Sequence, residues 1–448
     1  MSTTNDIIIV GAGFSGLAAG LKLKKLGIAS IIIEAQDRVG GRTKTEFLPD
    51  GTQIDLGGQW IGPTQNRMYE LVDKYDIKTF NTIAEGSPTI QFEEGKFIEN
   101  FPIEVQNLLE KVDDLAKSVN VDRPWETPDS EKLDHETFKT WLEKNSDSKE
   151  VASFVGRILA GGLLSANSGE ISVLQMILYI ATGNGTAILL GMHGGAQQDR
   201  LIGGPQYVAK CMAEEFGLEN IFFNHKVEKI EYSDDVVDVT VSSDKKFRGK
   251  KVILAIPPVL ANKLIFEPAL PVLKSRMLKQ ILPGSALKFH AIYSSPFWRK
   301  KGISGVTNSN FGFITESVDN SIPNNKKGII TFFAYGDEAN ILRSKEADER
   351  KELLLYDLAT LLGNEAKSPD NFIEFDWDNE LNTLGCFSGH FAPGGIVNYG
   401  MFLRKNVKSI HWAGTETSTV WNGYFEGAVH AGEREAQEIA LLLGAKIK

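Results

Sequence analysis

The strongest constraint on this chain lies in its first 34 residues. Asp6-Ile-Ile-Ile-Val10 is a short, unbroken apolar run, the pattern of a strand buried on both faces of a parallel sheet. Gly11-Ala-Gly-Phe-Ser-Gly16 follows without a spacer. Leu17 to Leu26 then has apolar residues at helical spacing and lysines in its last turns, and Gly27 comes next, a residue type that ends helices. A second apolar run, Ser30-Ile-Ile-Ile-Glu34, completes a β-α-β unit. The three glycines have separate tasks: Gly11 permits the tight turn, Gly13 lets backbone approach a pyrophosphate, and Gly16 lets the helix pack on the strand. The helix start offers free N–H groups and a positive dipole to that pyrophosphate. Glu34 stands 18 residues after Gly16, where a carboxylate accepts both ribose hydroxyls and repels a 2′-phosphate. The fingerprint predicts a dinucleotide site; with no Lys-Ser/Thr after the glycines it excludes a P-loop. It does not separate FAD from NAD.

A chain of 448 residues, 42 % of them hydrophobic, can bury a large core and has room for about three units of ~150 residues. Its net charge of -10 argues against a nucleic-acid partner, which needs a basic face. The two cysteines, Cys211 and Cys386, form neither a disulfide framework nor a zinc motif. His390 and His411 have no ligand partners at metal spacing, so they are read as structural and no metal is expected. The chain enters a strand within six residues and has no run of ~18 apolar residues, so a cytoplasmic protein is expected.

Farther along, Val236 to Val241 alternates like a half-exposed hairpin strand, and Lys251-Val-Ile-Leu-Ala-Ile256 is a buried strand stopped by Pro257-Pro258. Ser409 to Ala413 leads into Gly414 and a helix from about Gly427 to Leu443. Three distant pieces thus contribute to one nucleotide-binding sheet. Between them, residues 104 to 150 are rich in Glu, Asp and Lys, with Phe138, Trp141 and Leu142 at i, i+3, i+4, the pattern of amphipathic helices with solvated charged faces. Residues 290 to 300 and 328 to 335 suit a second sheet.

Blocks beyond the fingerprint separate FAD from NAD. They are Arg38-Val-Gly-Gly-Arg-Thr43, Asp55-Leu-Gly-Gly-Gln-Trp-Ile-Gly-Pro-Thr-Gln-Asn-Arg67, Gly203-Gly204 and Val252 to Pro258. Lys288 before Phe297-Trp298, then Trp377, Trp412-Ala-Gly-Thr-Glu-Thr417 and Trp421-Asn-Gly-Tyr-Phe-Glu-Gly-Ala428 follow in order. Together they resemble the flavin amine oxidase family, which includes the monoamine, polyamine and L-amino-acid oxidases. The resemblance covers nearly the whole chain and is weakest over residues 85 to 195. It implies an α/β fold in which a Rossmann-like FAD-binding domain, residues 1-85, 203-285 and 385-448, is interleaved with an α+β substrate-binding domain, residues 86-202 and 286-384.

Residue by residue, the resemblance makes Glu34 the ribose ligand and places Arg42, Gly57 and Gly58 beside the diphosphate and flavin. Val227 would meet the adenine, Trp377 would border the cofactor, and Gly414, Thr415 and Phe425 would lie along the ribityl and isoalloxazine. Arg42 offers forked donors suited to phosphate. Lys288 looks like the family's lysine that holds a water at flavin N5; a lysine pointing into a cavity has its charge disfavoured by desolvation. Tyr424 and Phe387 match the two aromatics that flank the substrate amine, a slot that excludes water and attracts developing positive charge. Most monoamine oxidases have two tyrosines there, so Phe387 is a departure. Cys386 matches the cysteine that forms a thioether with the flavin 8α-methyl, and covalent FAD is expected through it. Gln197 and Gln198 are expected to reach the substrate cavity, with the choice between them open.

The function implied is oxidative deamination of a primary or secondary amine to an imine, then an aldehyde or ketone, with O2 or another acceptor reoxidising the flavin and O2 yielding H2O2. The family rivals are a polyamine oxidase, which should line its tunnel with carboxylates, and an L-amino-acid oxidase, which should place an Arg for the substrate carboxylate. A flavin-binding interaction protein without turnover is the reading from another class. Relatives are often homodimers. The chain ends at Lys448, where membrane-bound members continue, so no membrane anchor is expected.

Overall fold

The structure, a computed structural model, describes residues 5–445. Its first large sheet is built around β1 (Asn5–Val10), with β2 (Ser30–Ile33) on one side and β3 (Lys246–Leu254) on the other, both parallel to it. Ile410–Trp412 pairs parallel with β3, while Val237–Val241 pairs antiparallel with it and leads to Val227–Tyr232 and Ile265–Glu267. The unbroken apolar runs have a direct cause. Ile8 and Ile31 enter one core while Ile7, Ile9 and Ile32 enter another, so neither face of these strands can be polar.

Helix α1 (Phe14–Lys25) and the C-terminal helix α2 (Phe425–Leu442) cover one face of this sheet. They approach closely because α2 has Gly432 at the crossing, where a Cβ would lie 2.0 Å from the Ser15 carbonyl oxygen.

The second large sheet has the order Asn371–Asp376, β4 (Ala286–Tyr293), Gly328–Tyr335, Glu316–Asp319, Ile303–Ser309, Ser87–Glu93, Lys96–Ile98. In chain order we call Glu316–Asp319 β5 and Gly328–Tyr335 β6. All eight residues of β4 are buried, because the strand is paired along both edges and packed on both faces. The strand expected over 290 to 300 ends at Tyr293, and Phe297–Lys300 is one helical turn that follows Pro296. Helices fill residues 103 to 182, with Phe138, Trp141 and Leu142 buried as their spacing predicts. Strand β7 (Cys386–Phe391) belongs to neither large sheet; it pairs with Ile281–Gly284.

His411 acquires neighbours that sequence spacing hid: Glu435 Oε2 lies 3.1 Å from its Nδ1, and Glu438 joins them within 4.8 Å. Arg434 donates to Glu435 at 2.8 Å, so the cluster already contains its own cation. His390 is buried without a side-chain partner, and burial lowers it to about 4. No helix among the described residues is long and apolar enough to cross a membrane.

Candidate active site

One cleft of about 690 Å³ runs from the first sheet to the second. At its first-sheet end lie Gly11, Gly13, Glu34, Val227 and the start of α1. Gly11 has φ +102°, and a Cβ there would meet the Ala255 carbonyl oxygen at 2.8 Å. A Cβ on Gly16 would lie 1.9 Å from the Gly11 carbonyl oxygen, whereas one on Gly13 would meet no protein atom within 4 Å. Gly16 therefore serves the packing and Gly13 the open cleft. No side chain caps α1, which leaves its first N–H groups for a ligand. Glu34 is fixed by the N–H groups of Ala12 (2.7 Å) and Gln36 (2.9 Å). Burial raises its carboxyl against those hydrogen bonds.

The middle of the cleft is lined by Arg42, Gly57, Gly58, Trp377, Gly414, Thr415 and Phe425. A Cβ on Gly58 would strike the Phe425 ring at 2.6 Å. Phe425 stacks on Phe14 at 5.1 Å, and Trp377 donates its indole N–H to the Leu56 carbonyl. The fork expected of Arg42 is already engaged within the protein. Its Nη1 donates to the Phe387 carbonyl (2.8 Å) and to Glu416 Oε1 (2.7 Å). Burial alone would raise Glu416, but Arg42 and the Gly389 N–H together hold it below its ordinary value.

At the second-sheet end, Lys288 on β4 is buried, and its Nζ donates to the carbonyls of Asp55 (2.6 Å) and Gly57 (2.8 Å) and to Gln59 Oε1 (2.6 Å). Gln59 is held in turn by Asn320 (2.7 Å), and Arg200 ties Asn320 to Asp55. Burial draws the Lys288 ammonium down to about 7, with Asp55 opposing and Arg200 reinforcing the shift.

Tyr424 and Phe387 line the same end. Tyr424 is backed by Trp421 edge-on at 4.9 Å and by Tyr179 at 6.1 Å, and Phe387 meets Tyr335 edge-on at 5.8 Å. Thr415 donates its hydroxyl to the Tyr424 carbonyl. Gln197 lines the cleft, anchored through Nε2 to the Leu189 carbonyl. Gln198 is not part of the lining: its amide is bound to the Gly194 N–H and to Asp199. Cys386 also lines the cleft, and burial pushes its thiol up to about 12.

Sequence reasoning missed one group. Glu316, on β5, faces the second-sheet end of the cleft, and its Oε1 accepts from the Tyr335 hydroxyl at 2.6 Å. Desolvation pushes its carboxyl up to about 7 against that hydrogen bond. No motif surrounds it in Gly312-Phe-Ile-Thr-Glu-Ser-Val318, so only the fold marks it.

The cleft fits FAD: a glycine-lined, uncapped helix start for a diphosphate, a fixed carboxylate for a ribose, a middle lined by Gly57 and Gly58, and Lys288 beyond it. Bound there, FAD supplies a two-electron acceptor for an amine.

Comparison with known proteins agrees with this geometry. Residues 14–440 match the family model of flavin-containing amine oxidoreductases. The chain is 34 % identical over 461 residues to a "probable flavin-containing monoamine oxidase A" of Dictyostelium discoideum, covering all of both chains. Wild-type putrescine oxidase bound to putrescine superposes with a TM-score of 0.95 at 32 % identity, over 98 % of this chain and 100 % of that one. Cyclohexylamine oxidase from Brevibacterium oxydans gives 0.93 at 31 % identity, over 99 % of this chain and 100 % of that one. With fold, cleft and sequence in agreement, the chain belongs to the flavin-containing amine oxidoreductase family.

Proposed function

We propose that this FAD-dependent amine oxidase acts on a short α,ω-diamine. One amino group would stand neutral between Tyr424 and Phe387, and the other would stand as an ammonium on Glu316. The observation that carries the reading is the Glu316 carboxyl in the cleft wall: one oxygen is held by Tyr335, and among the described residues no donor reaches the other. Tyr335 touches both groups, donating to that carboxyl at 2.6 Å and meeting the Phe387 ring edge-on at 5.8 Å, which favours a short spacer. A carboxylate at the far end is what a polyamine-type oxidase needs for the second cation of its substrate. Putrescine oxidase among the similar structures supports the same class.

The roles assigned to Lys288, Tyr424, Phe387 and Gln197, and the two interleaved domains, form part of this proposal, as does a thioether from Cys386 to the flavin. Both cysteines are unpaired, which suits a reducing compartment such as the cytoplasm.

Anaerobic flavin reduction by 1,4-diaminobutane, 1,5-diaminopentane, butylamine, benzylamine and cyclohexylamine tests the substrate. Diamines should reduce the flavin at far lower concentration than butylamine. Glu316→Gln should cut the diamine-to-monoamine ratio of kcat/KM about 10- to 100-fold, the scale of a lost charge-assisted hydrogen bond. Equal use of butylamine and 1,4-diaminobutane by the wild type would refute the diamine.

A further inference from the structure

An irregular helix lies against Glu316. Lys149–Gly156 runs into a π turn, Arg157–Gly161, followed by one more helical turn, Gly162–Leu164, and a left-handed Ser165 at φ 52°. Such π insertions are rare and recur at functional sites. Arg157 pins the turn by donating to Glu338 and to the Gly312 carbonyl.

The two glycines that follow Ala160 differ in kind. At Gly161 a Cβ would press on the Tyr335 ring at 3.1 Å, so packing explains it. Gly162 has no such explanation. Its φ of -64° and ψ of -28° are ordinary helical values, which every L-residue adopts, and glycine in a helix is less favourable than alanine. Outside its own helix, a Cβ there would meet nothing nearer than a side-chain carboxyl. Its nearest neighbours are Glu316 Oε2 at 3.5 Å, Oε1 at 3.7 Å and Cδ at 3.9 Å. Gly162 and Glu316 line the same cleft.

The geometry points to Gly162 as a specificity-determining residue that keeps the free oxygen of the Glu316 carboxylate, Oε2, open to a cationic substrate terminus. An ammonium needs an approach of about 2.7–2.9 Å to carboxylate oxygen. A methyl at 162 would lie at contact distance from both oxygens and take part of that approach, and a branched side chain would fill it. The inference rests on the diamine reading and sharpens it: the second ammonium sits on Glu316 Oε2, alongside the bare Gly162 backbone.

The test compares holoenzymes of the wild type, Gly162→Ala, Gly162→Val and Glu316→Gln. It uses flavin reduction by a series of n-alkylamines and α,ω-diamines, with thermal melting measured on each. The alanine variant should fold, since its methyl makes only ordinary contacts, and should melt no lower than the wild type. Its diamine-to-monoamine ratio of kcat/KM should nevertheless fall about tenfold or more through diamine KM, and the valine variant should lose the preference. A wild type that prefers diamines, loses the preference in Glu316→Gln and keeps it in both Gly162 variants would overturn the role of Gly162 alone. A wild type without a diamine preference would overturn the diamine reading and this inference with it.

Discussion

Phe387 holds a left-handed backbone conformation, φ +53°, which a bulky residue adopts only at a cost of about 1–3 kcal/mol. Adjacent residues of a regular strand point to opposite faces, yet Cys386 and Phe387 both line the cleft. The left-handed residue, after Leu384 at φ +53° and Gly385 at φ +127°, goes with that shared facing. Arg42, paired with Glu416, ties down the bend by donating to the Phe387 carbonyl. Lys288 offers a measurable consequence of burial. An unfolded lysine keeps its proton to about 10.5, whereas the folded one releases it near 7. Between those values the unfolded chain binds more protons, so folding stability rises with pH, by at most about 1.4 kcal/mol per unit. Lys288→Met cannot titrate and should lack this slope. Urea unfolding of both proteins from pH 6.5 to 9 checks it, and parallel stability curves would refute the shift.

At the scale of elements, the cleft is organised by two helix starts. Helices α1 and α2 both begin on it, at Gly13 and Tyr424, and neither start is capped by a side chain. Their mutual approach depends on Gly432 meeting Ser15 backbone. Backbone cannot swing aside as a side chain can, so Gly432→Ala should cost about 1–3 kcal/mol, as overpacking does, and should push the two starts apart. A lower melting temperature together with weaker FAD retention is expected; unchanged melting would show that the helices tolerate the methyl. Elements of this kind were legible because their period is strong: the runs of β1 and β2 and the long α2 pattern are unambiguous. Phe297–Lys300 was not, since an aromatic-rich turn after proline reads like a strand. The π turn at 157–161 leaves no periodic trace, because one inserted residue shifts the helical phase without changing composition.

Across the whole molecule, the cleft gathers lining from Val10 to Ala428 and joins both large sheets. Its FAD end could be read from the chain because phosphate and ribose recognition uses backbone geometry, which fixes glycine spacing. Its second-sheet end could be read only in part: Lys288, Tyr424 and Phe387 came with the sequence blocks, but Glu316, Tyr335 and Gly162 are single residues on separate elements that only packing brings together, and Gln197 parts from Gln198 only once the chain is folded. Such a cleft couples cofactor to fold: a ligand that binds only the folded state adds about 2.7 kcal/mol at a hundredfold excess over Kd. That coupling also tests Cys386. If its sulfur carries the flavin, the wild-type melting temperature should not respond to added FAD, and acid-precipitated protein should stay yellow. Cys386→Ala should release its colour to the supernatant and melt higher as FAD is added. The buried thiol is protonated before any bond forms, so covalent loading should be slow and should leave a non-covalent fraction in freshly reconstituted enzyme. Wild-type colour wholly in the supernatant, with melting that rises with added FAD as in Cys386→Ala, would rule out the thioether and leave Cys386 as a buried apolar contact beside Phe387.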